Sequence, residues 1–217
     1  MMFFALCISF AQAVPQPTLQ RLLEEDGWKP LKTIQDQVVG LINVQEKEIN
    51  EFPCFRAKVE TAVSLTALEA VVRDIPSSLH WSSAGLKESI TLDQSSHHID
   101  YYQYLSIPFV SDRHWFLQAQ ISKTSDSFRF MWQPLEAKKH STWVAKKRKQ
   151  HAGAVVPPIN IGEWEFIRVN PTTNQVQYSI CTHPGGSIPK HFRSIGTVKT
   201  LPTNVKEIII EAKRRVQ

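Results

Sequence analysis

The sequence predicts an α+β fold, one large and mostly antiparallel sheet closed by a long C-terminal helix. Most apolar segments are short, alternate with polar residues and end at turn residues, as half-buried antiparallel strands do. The tail from Pro189 to Arg215 instead sets Ile195, Val198, Leu201, Val205, Ile208 and Ile209 on a rough helical period. No internal repeat, heptad or low-complexity tract competes with this reading. A curved sheet gripping a helix leaves space between its layers, and small ligands bind in such spaces.

The elements follow in order. Val14 to Thr18 is a proline-containing lead-in to a short helix, Thr18 to Glu25, which Asp26-Gly27 ends by turn chemistry. Trp28 to Ile34 and Val38 to Gln45 suggest two strands around the polar break Gln35-Asp36-Gln37, and Phe55 to Glu60 alternates as a third. Ser64 reads as an N-cap, with Leu65, Leu68, Val71 and Val72 forming a helical stripe to Arg73, broken by Ile75-Pro76. Strand-like segments follow at Ser89–Leu92, His98–Ile107, Trp115–Lys123, Phe128–Trp132, Ser141–Lys147, Trp164–Val169 and Gln175–Thr182. Ala152 to Gly162 lacks a period and contains Pro157-Pro158, so it reads as a loop. Pro202 should kink or restart the terminal helix.

The 217 residues suffice for one domain with a full core. A hydrophobic fraction of 42% with 21% charged residues is globular, and no internal stretch approaches a membrane span. Net charge of +5 favours anionic surfaces without choosing between them. Residues 1–13 read as a signal peptide: Phe3 to Phe10 is a short apolar core, and Ala11-Gln12-Ala13 has the form of a cleavage site. The domain then runs over 14–217, and the expected location is outside the cytoplasm, secreted or in a bacterial periplasm. Cleavage removes Cys7 and leaves Cys54 and Cys181. An oxidising compartment permits a bridge between these two, and two separate buried thiols fit equally well.

Two segments carry the most specific information: Pro108-Phe109-Val110-Ser111-Asp112-Arg113-His114, and His183-Pro184-Gly185-Gly186-Ser187-Ile188-Pro189-Lys190. With Trp28, Phe55-Arg56-Ala57, Asp74, Trp81, Tyr101 to Tyr104, Trp164-Glu165-Phe166 and Tyr178, they form an ordered set over about nine-tenths of the chain. This set resembles the START family of lipid transfer domains. The resemblance implies a helix-grip fold enclosing a hydrophobic tunnel, and one bound lipid. Two departures are His114, where the family usually has an acid, and Thr182-His183, where an acid usually precedes Pro-Gly-Gly. The positions of the acid–base pair of sterol-binding members read Gln103 and Ala119, which speaks against a sterol-specific polar anchor.

The expected function is to bind one hydrophobic ligand, a phospholipid, fatty acid or sterol-like lipid, and to transfer or present it between membranes. Tunnel-wall candidates are Tyr102, Tyr104, Phe116, Phe130, Trp132, Ile180, Ile195, Val198, Val205 and Ile209; ordinary core is the alternative for each. Arg113 can touch a head group at the wall or anchor loop carbonyls. Gly185 and Gly186 supply the permissive backbone of a hinge or a turn before the last helix. Lys146, Lys147, Arg148 and Lys149 can meet anionic membrane lipids or be a solvated strand edge. No nucleic-acid motif accompanies them. The histidines lack the helical spacing of a zinc site, so neither metal nor cofactor is expected, and the chain is expected to be a monomer. An alternative is an enzyme acting on a polyketide or aromatic substrate, with Tyr104, Asp112 and His114 as acid–base candidates. A lipid sensor that does not transfer its ligand is another.

Overall fold

In the computed structural model, residues 18–106, 110–136, 138–186 and 190–217 are described, with side chains of the last stretch from Val198 onward. The signal peptide, Pro108 and the side chain of Ile195 lie outside these. Thr18 Oγ1 accepts from Arg21 N and caps the five-residue helix α1, Leu19–Leu23. β1 (Lys29–Asp36), β2 (Gly40–Ile49) and β3 (Phe52–Thr61) then form a meander. Ser64 Oγ accepts from Ala67 N at the start of α2, Leu65–Arg73, as the cap pattern predicts. A short helix α3 (Ser78–Trp81) leads to β4 (Leu86–Gln94), β5 (His98–Leu105), β6 (Arg113–Lys123) and β7 (Ser127–Pro134). After α4 (Ser141–Gln150) come β8 (Ile159–Asn170), β9 (Thr173–His183) and α5 (Lys190–Arg215).

All nine strands belong to one antiparallel sheet in the order β1-β2-β3-β9-β8-β7-β6-β5-β4. It is open and curved, with α5 packed against it, which is the predicted α+β arrangement. The crossing from β3 to β4 carries α2 and α3, so the chain reaches the far edge before returning hairpin by hairpin. The main core lies between the inner face of the sheet, α2 and α5. It holds Val44, Phe55, Val176, Phe166, Phe128 and Leu117 from the strands, Leu68 and Val71 from α2, and Leu201, Val205, Ile208 and Ile209 from α5. A smaller cluster on the outer face brings Leu22 of α1 onto Ile49, Ile161, Cys54 and Cys181. The two cysteines stand opposite each other on β3 and β9 and form a disulfide, resolving the choice left open by the sequence.

Three local expectations are corrected. Ser141–Lys147 is helical, the first part of α4, and none of that helix's residues is fully buried. It is held by contacts from its own Trp143 and Lys147 rather than by an apolar stripe. Ile159 to Gly162, read as loop, are the first residues of β8; Asn160 and Gly162 conceal the alternation because they face the interior among aromatic rings. Pro202 neither ends α5 nor restarts it. The carbonyl that loses its helical donor to this proline is that of Val198, four residues earlier. Lys32 Nζ of β1 donates to it at 3.4 Å, and Lys206 binds Asp36 at 2.9 Å in the same seam.

Candidate functional site

Alternation along the strands builds the site. In β5, Tyr101, Gln103 and Leu105 point inward; in β6, Trp115 and Leu117 do so. β7 adds Phe130 and Trp132, β8 adds Asn160 and Trp164, and β9 adds Tyr178, Ile180 and Thr182. From the other side α2 contributes Val71 and Val72, the α3 region Ser78, Trp81 and Ser82, and α5 Asn204 and Ile208. Together they line a cavity of about 270 Å³ that is partly open to solvent. That is just below the usual range for ligand sites, roughly 300–1,000 Å³.

Seven aromatic residues stand in the wall among aliphatic ones. Trp164 stacks on Tyr178 at 4.2 Å between centroids, and Trp132 stacks on Tyr178 at 5.7 Å. Polar side chains interrupt it: Asp74, Ser78, Ser82, Gln103, Asn160, Thr182 and Asn204. Trp132 Nε1 donates to Asn160 Oδ1 at 3.0 Å. At the α3 end, Ser78 Oγ donates to Ser89 Oγ at 2.9 Å, and Gln103 Nε2 reaches Ser89 Oγ at 3.4 Å. Tyr178 hydrogen-bonds Asn204, and burial pushes its hydroxyl well above the ordinary tyrosine value. Tyr101 is raised for the same reason. Both phenols are therefore neutral, hydrogen-bonding groups. This arrangement suits an apolar body with a small polar end.

No protein-family model matches the chain. An uncharacterized protein of Pseudomonas aeruginosa is 24% identical over 194 residues, 89% of this chain and 90% of that one. Human STARD10 superposes with a TM-score of 0.72 at 14% identity, covering 94% of this chain and 83% of its own. A STAR-related lipid transfer protein from Xanthomonas axonopodis gives 0.67 at 21% identity, with 87% of this chain and 99% of that chain covered. The chain has a START-like fold. The ZhuI aromatase/cyclase from a Streptomyces species has it too, more distantly, at a TM-score of 0.54, 12% identity and coverage of 76% and 95%.

Within this START-like domain the expected wall residues divide. Phe130, Trp132 and Ile180 line the cavity. Tyr102, Tyr104 and Phe116 do not: each is one residue out of phase and points to the outer face of the sheet. There α4 covers them, with Trp143 against Tyr102 at 5.1 Å and His151 stacked on Tyr104 at 4.0 Å. Val205 and Ile209 are fully buried in the core, while their neighbours Asn204 and Ile208 face the cavity. Val198 packs at the edge of the core. The residues missed are Tyr101, Trp115, Trp164, Tyr178 and Asn204. Only Gly162 hinted at them: a Cβ there would stand 2.0 Å from Trp132 Cζ2, so a glycine inside a strand marks where a ring lies across the backbone.

Arg113 is 2% exposed and serves as an anchor rather than as wall. Its guanidinium donates to the carbonyls of Ser111, Pro184 and Gly185, tying β6 to the corner before α5. Gly185 and Gly186 lie at φ +67° and +63°, and a Cβ on Gly185 would meet Val155 Cγ1 at 2.7 Å. That position needs glycine twice over, for its backbone and for its space.

The acid–base candidates are on the wrong side for chemistry in the cavity. Tyr104 donates to Asp112, and this bond pushes its hydroxyl up to about 12. His114 is buried beneath α4, where desolvation first and then the nearby His151 and Arg148 hold it near 4. Of the four basic residues, Lys147 is not a free surface charge. It pairs with Glu88, which also binds His151 at 2.6 Å. Lys146, Arg148 and Lys149 are exposed on α4.

Proposed function

We propose that this domain binds a single hydrophobic ligand of the phospholipid, fatty-acid or sterol-like class in the cavity and transfers or presents it between membranes. The cavity between the sheet, α2 and α5 carries the reading: most of its wall is apolar or aromatic, and hydrogen-bonding groups stand at Trp132–Asn160, at the α3 end and at Tyr178–Asn204. Each buried methylene contributes roughly 0.8 kcal/mol, so shape and apolar area supply affinity, and one or two hydrogen bonds select the head group. The START-like fold and the lipid transfer named for the Xanthomonas axonopodis neighbour support the same class.

The small volume gives the mechanism its direction. A ligand with a long acyl chain needs more room than about 270 Å³. A full-length acyl chain therefore requires a wall to move, and the wall that follows the two glycines Gly185 and Gly186 is α5. Gly185 and Gly186 act as the hinge, and Arg113 holds the closed form by its carbonyl contacts. Lys146, Arg148 and Lys149 hold the exposed side of α4 against anionic head groups, each contributing about 1 kcal/mol near such a surface. The chain works as a monomer after export. The Cys54–Cys181 bridge supports export, because such bonds persist in oxidising compartments.

Vesicle transfer tests this reading. Donor vesicles carry a fluorescent fatty acid or phospholipid, and acceptors contain anionic lipid. Transfer should rise with protein concentration, and the triple change of Lys146, Arg148 and Lys149 to Glu should slow it most with the most anionic vesicles. Absence of uptake for every lipid class would contradict the proposal.

A further inference from the structure

We propose that Asp93, His98, Asp100 and His140 form a binding site for one divalent transition-metal ion of the zinc type, on the outer face of the sheet. The site is independent of the cavity, which opens on the other face.

The register makes the first argument. Asp93 on β4 stands directly opposite Asp100 on β5, and like charges facing each other across strands repel. A cation between them removes the conflict. Asp100 makes the second argument. It is 2% exposed, its Oδ2 receives His140 Nε2 at 3.1 Å, and its Oδ1 is buried with no hydrogen-bond partner. A buried carboxylate oxygen left unmet is costly, and a metal bond satisfies it.

The donor set is the third. Ligand atoms of Asp93, His98 and Asp100 all lie within 4.8 Å of one another. His98 Nε2 is 3.0 Å from Asp93 Oδ2. Ligands at about 2.0–2.1 Å from a tetrahedral ion stand roughly 3.3 Å apart, so this N···O separation is already close to a shared-ion geometry; His140 stands beside the three-residue group, against Asp100 Oδ2, and would turn inward to supply the fourth donor. Two imidazoles with two carboxylates suit zinc and its neighbours better than calcium or magnesium, which prefer oxygen alone. Ser95 Oγ lies 2.7 Å from His98 Nδ1 and orients the ring, as outer-shell partners of metal-bound histidines do.

The backbone of His140 is the fourth. It is the N-cap of α4 yet caps nothing with its side chain, and it sits at φ +50°, a left-handed conformation uncommon outside glycine. Such strain persists where it is used, and here it accompanies the ring's contact with Asp100. Lys139 Nζ, 3.5 Å from Asp100 Oδ2 and 41% exposed, is the competing cation and is free to swing into solvent. A bound ion would staple the start of α4 to the β4–β5 hairpin.

Calorimetric titration of the full-length chain, without an affinity tag and stripped by chelator, with Zn²⁺ tests the site, with native mass spectrometry for stoichiometry and Co²⁺ visible absorption for geometry. One equivalent should bind, with a tetrahedral Co²⁺ spectrum. Affinity should fall roughly tenfold or more in His98→Ala and in His140→Ala, and be unchanged in His97→Ala, an exposed neighbour. Circular dichroism confirms folding, and His98→Gln and His140→Gln replace any alanine variant that unfolds. Failure to bind one equivalent, or binding that survives both substitutions, would show that the four residues form only ion pairs and hydrogen bonds.

Discussion

The ring of Trp132 lies directly over Gly162, so close that a Cβ there would stand 2.0 Å from Cζ2 and 2.5 Å from Cη2. The same ring lines the cavity and donates to Asn160. The substitution Gly162→Val should therefore drive the indole off its seat, into the space a ligand would take. Ligand capacity measured by native mass spectrometry should drop, and stability should fall by about 1–3 kcal/mol from overpacking. Gly153→Ala, where an added Cβ meets nothing within 4 Å, is the control and should change neither.

Arg113 fixes the corner that precedes α5. Replacing it with Met keeps the bulk but leaves the carbonyls of Ser111, Pro184 and Gly185 without this donor. A cost of about 1–3 kcal/mol follows from unmet buried acceptors. Hydrogen exchange should quicken at the start of α5 more than in β8 or β9. Uniform acceleration across the sheet would make Arg113 a general stabiliser rather than a latch for the helix.

The disulfide joins residues 127 apart in sequence across adjacent central strands. Its removal in the double variant Cys54→Ala/Cys181→Ala should cost about 2–5 kcal/mol. Denaturant unfolding of oxidised wild type and variant measures this. The inner-face cavity should keep its ligand preference, because both cysteines belong to the outer cluster under α1.

Glu163 gives a pH signature. Its side chain is fully buried on the outer face, and burial, then repulsion from Glu165, pushes its carboxyl up to about 7 despite Arg129 and Arg56 nearby. The folded state therefore holds a proton that the unfolded chain releases near its ordinary value of 4.5. This group's stability contribution is complete below that value, falls as pH rises through the interval, and levels off above about 7. The total is on the order of 3 kcal/mol. Wild type minus Glu163→Gln, followed by urea unfolding across this range, should show that decline.

Much of the fold was legible in the sequence, because turn residues delimit the hairpins and the tail keeps a helical period. The cavity was harder to read for a physical reason. Tyr101-Tyr102 and Trp115-Phe116-Leu117 are apolar on both faces, since α4 covers the outside of β5 and β6. Two-sided burial erases the alternation that assigns faces, so Tyr102, Tyr104 and Phe116 were placed inside one residue out of phase. In α5 the stripe from Val198 onward packs as expected, but Val205 and Ile209 turn into solid core while Asn204, a polar residue, faces the cavity. Helix α4 escaped because basic side chains dominate it, and its hold on the sheet comes from Trp143, Lys147 and the neighbouring His151.

Lipid mass spectrometry of an organic extract, run beside native mass spectrometry of the intact purified chain, tests the central claim most directly. One lipid class bound in about one-to-one ratio, lost or reduced in Gly162→Val, is the predicted result. A chain that is empty and also takes up no fluorescent fatty acid, phospholipid or sterol would contradict it.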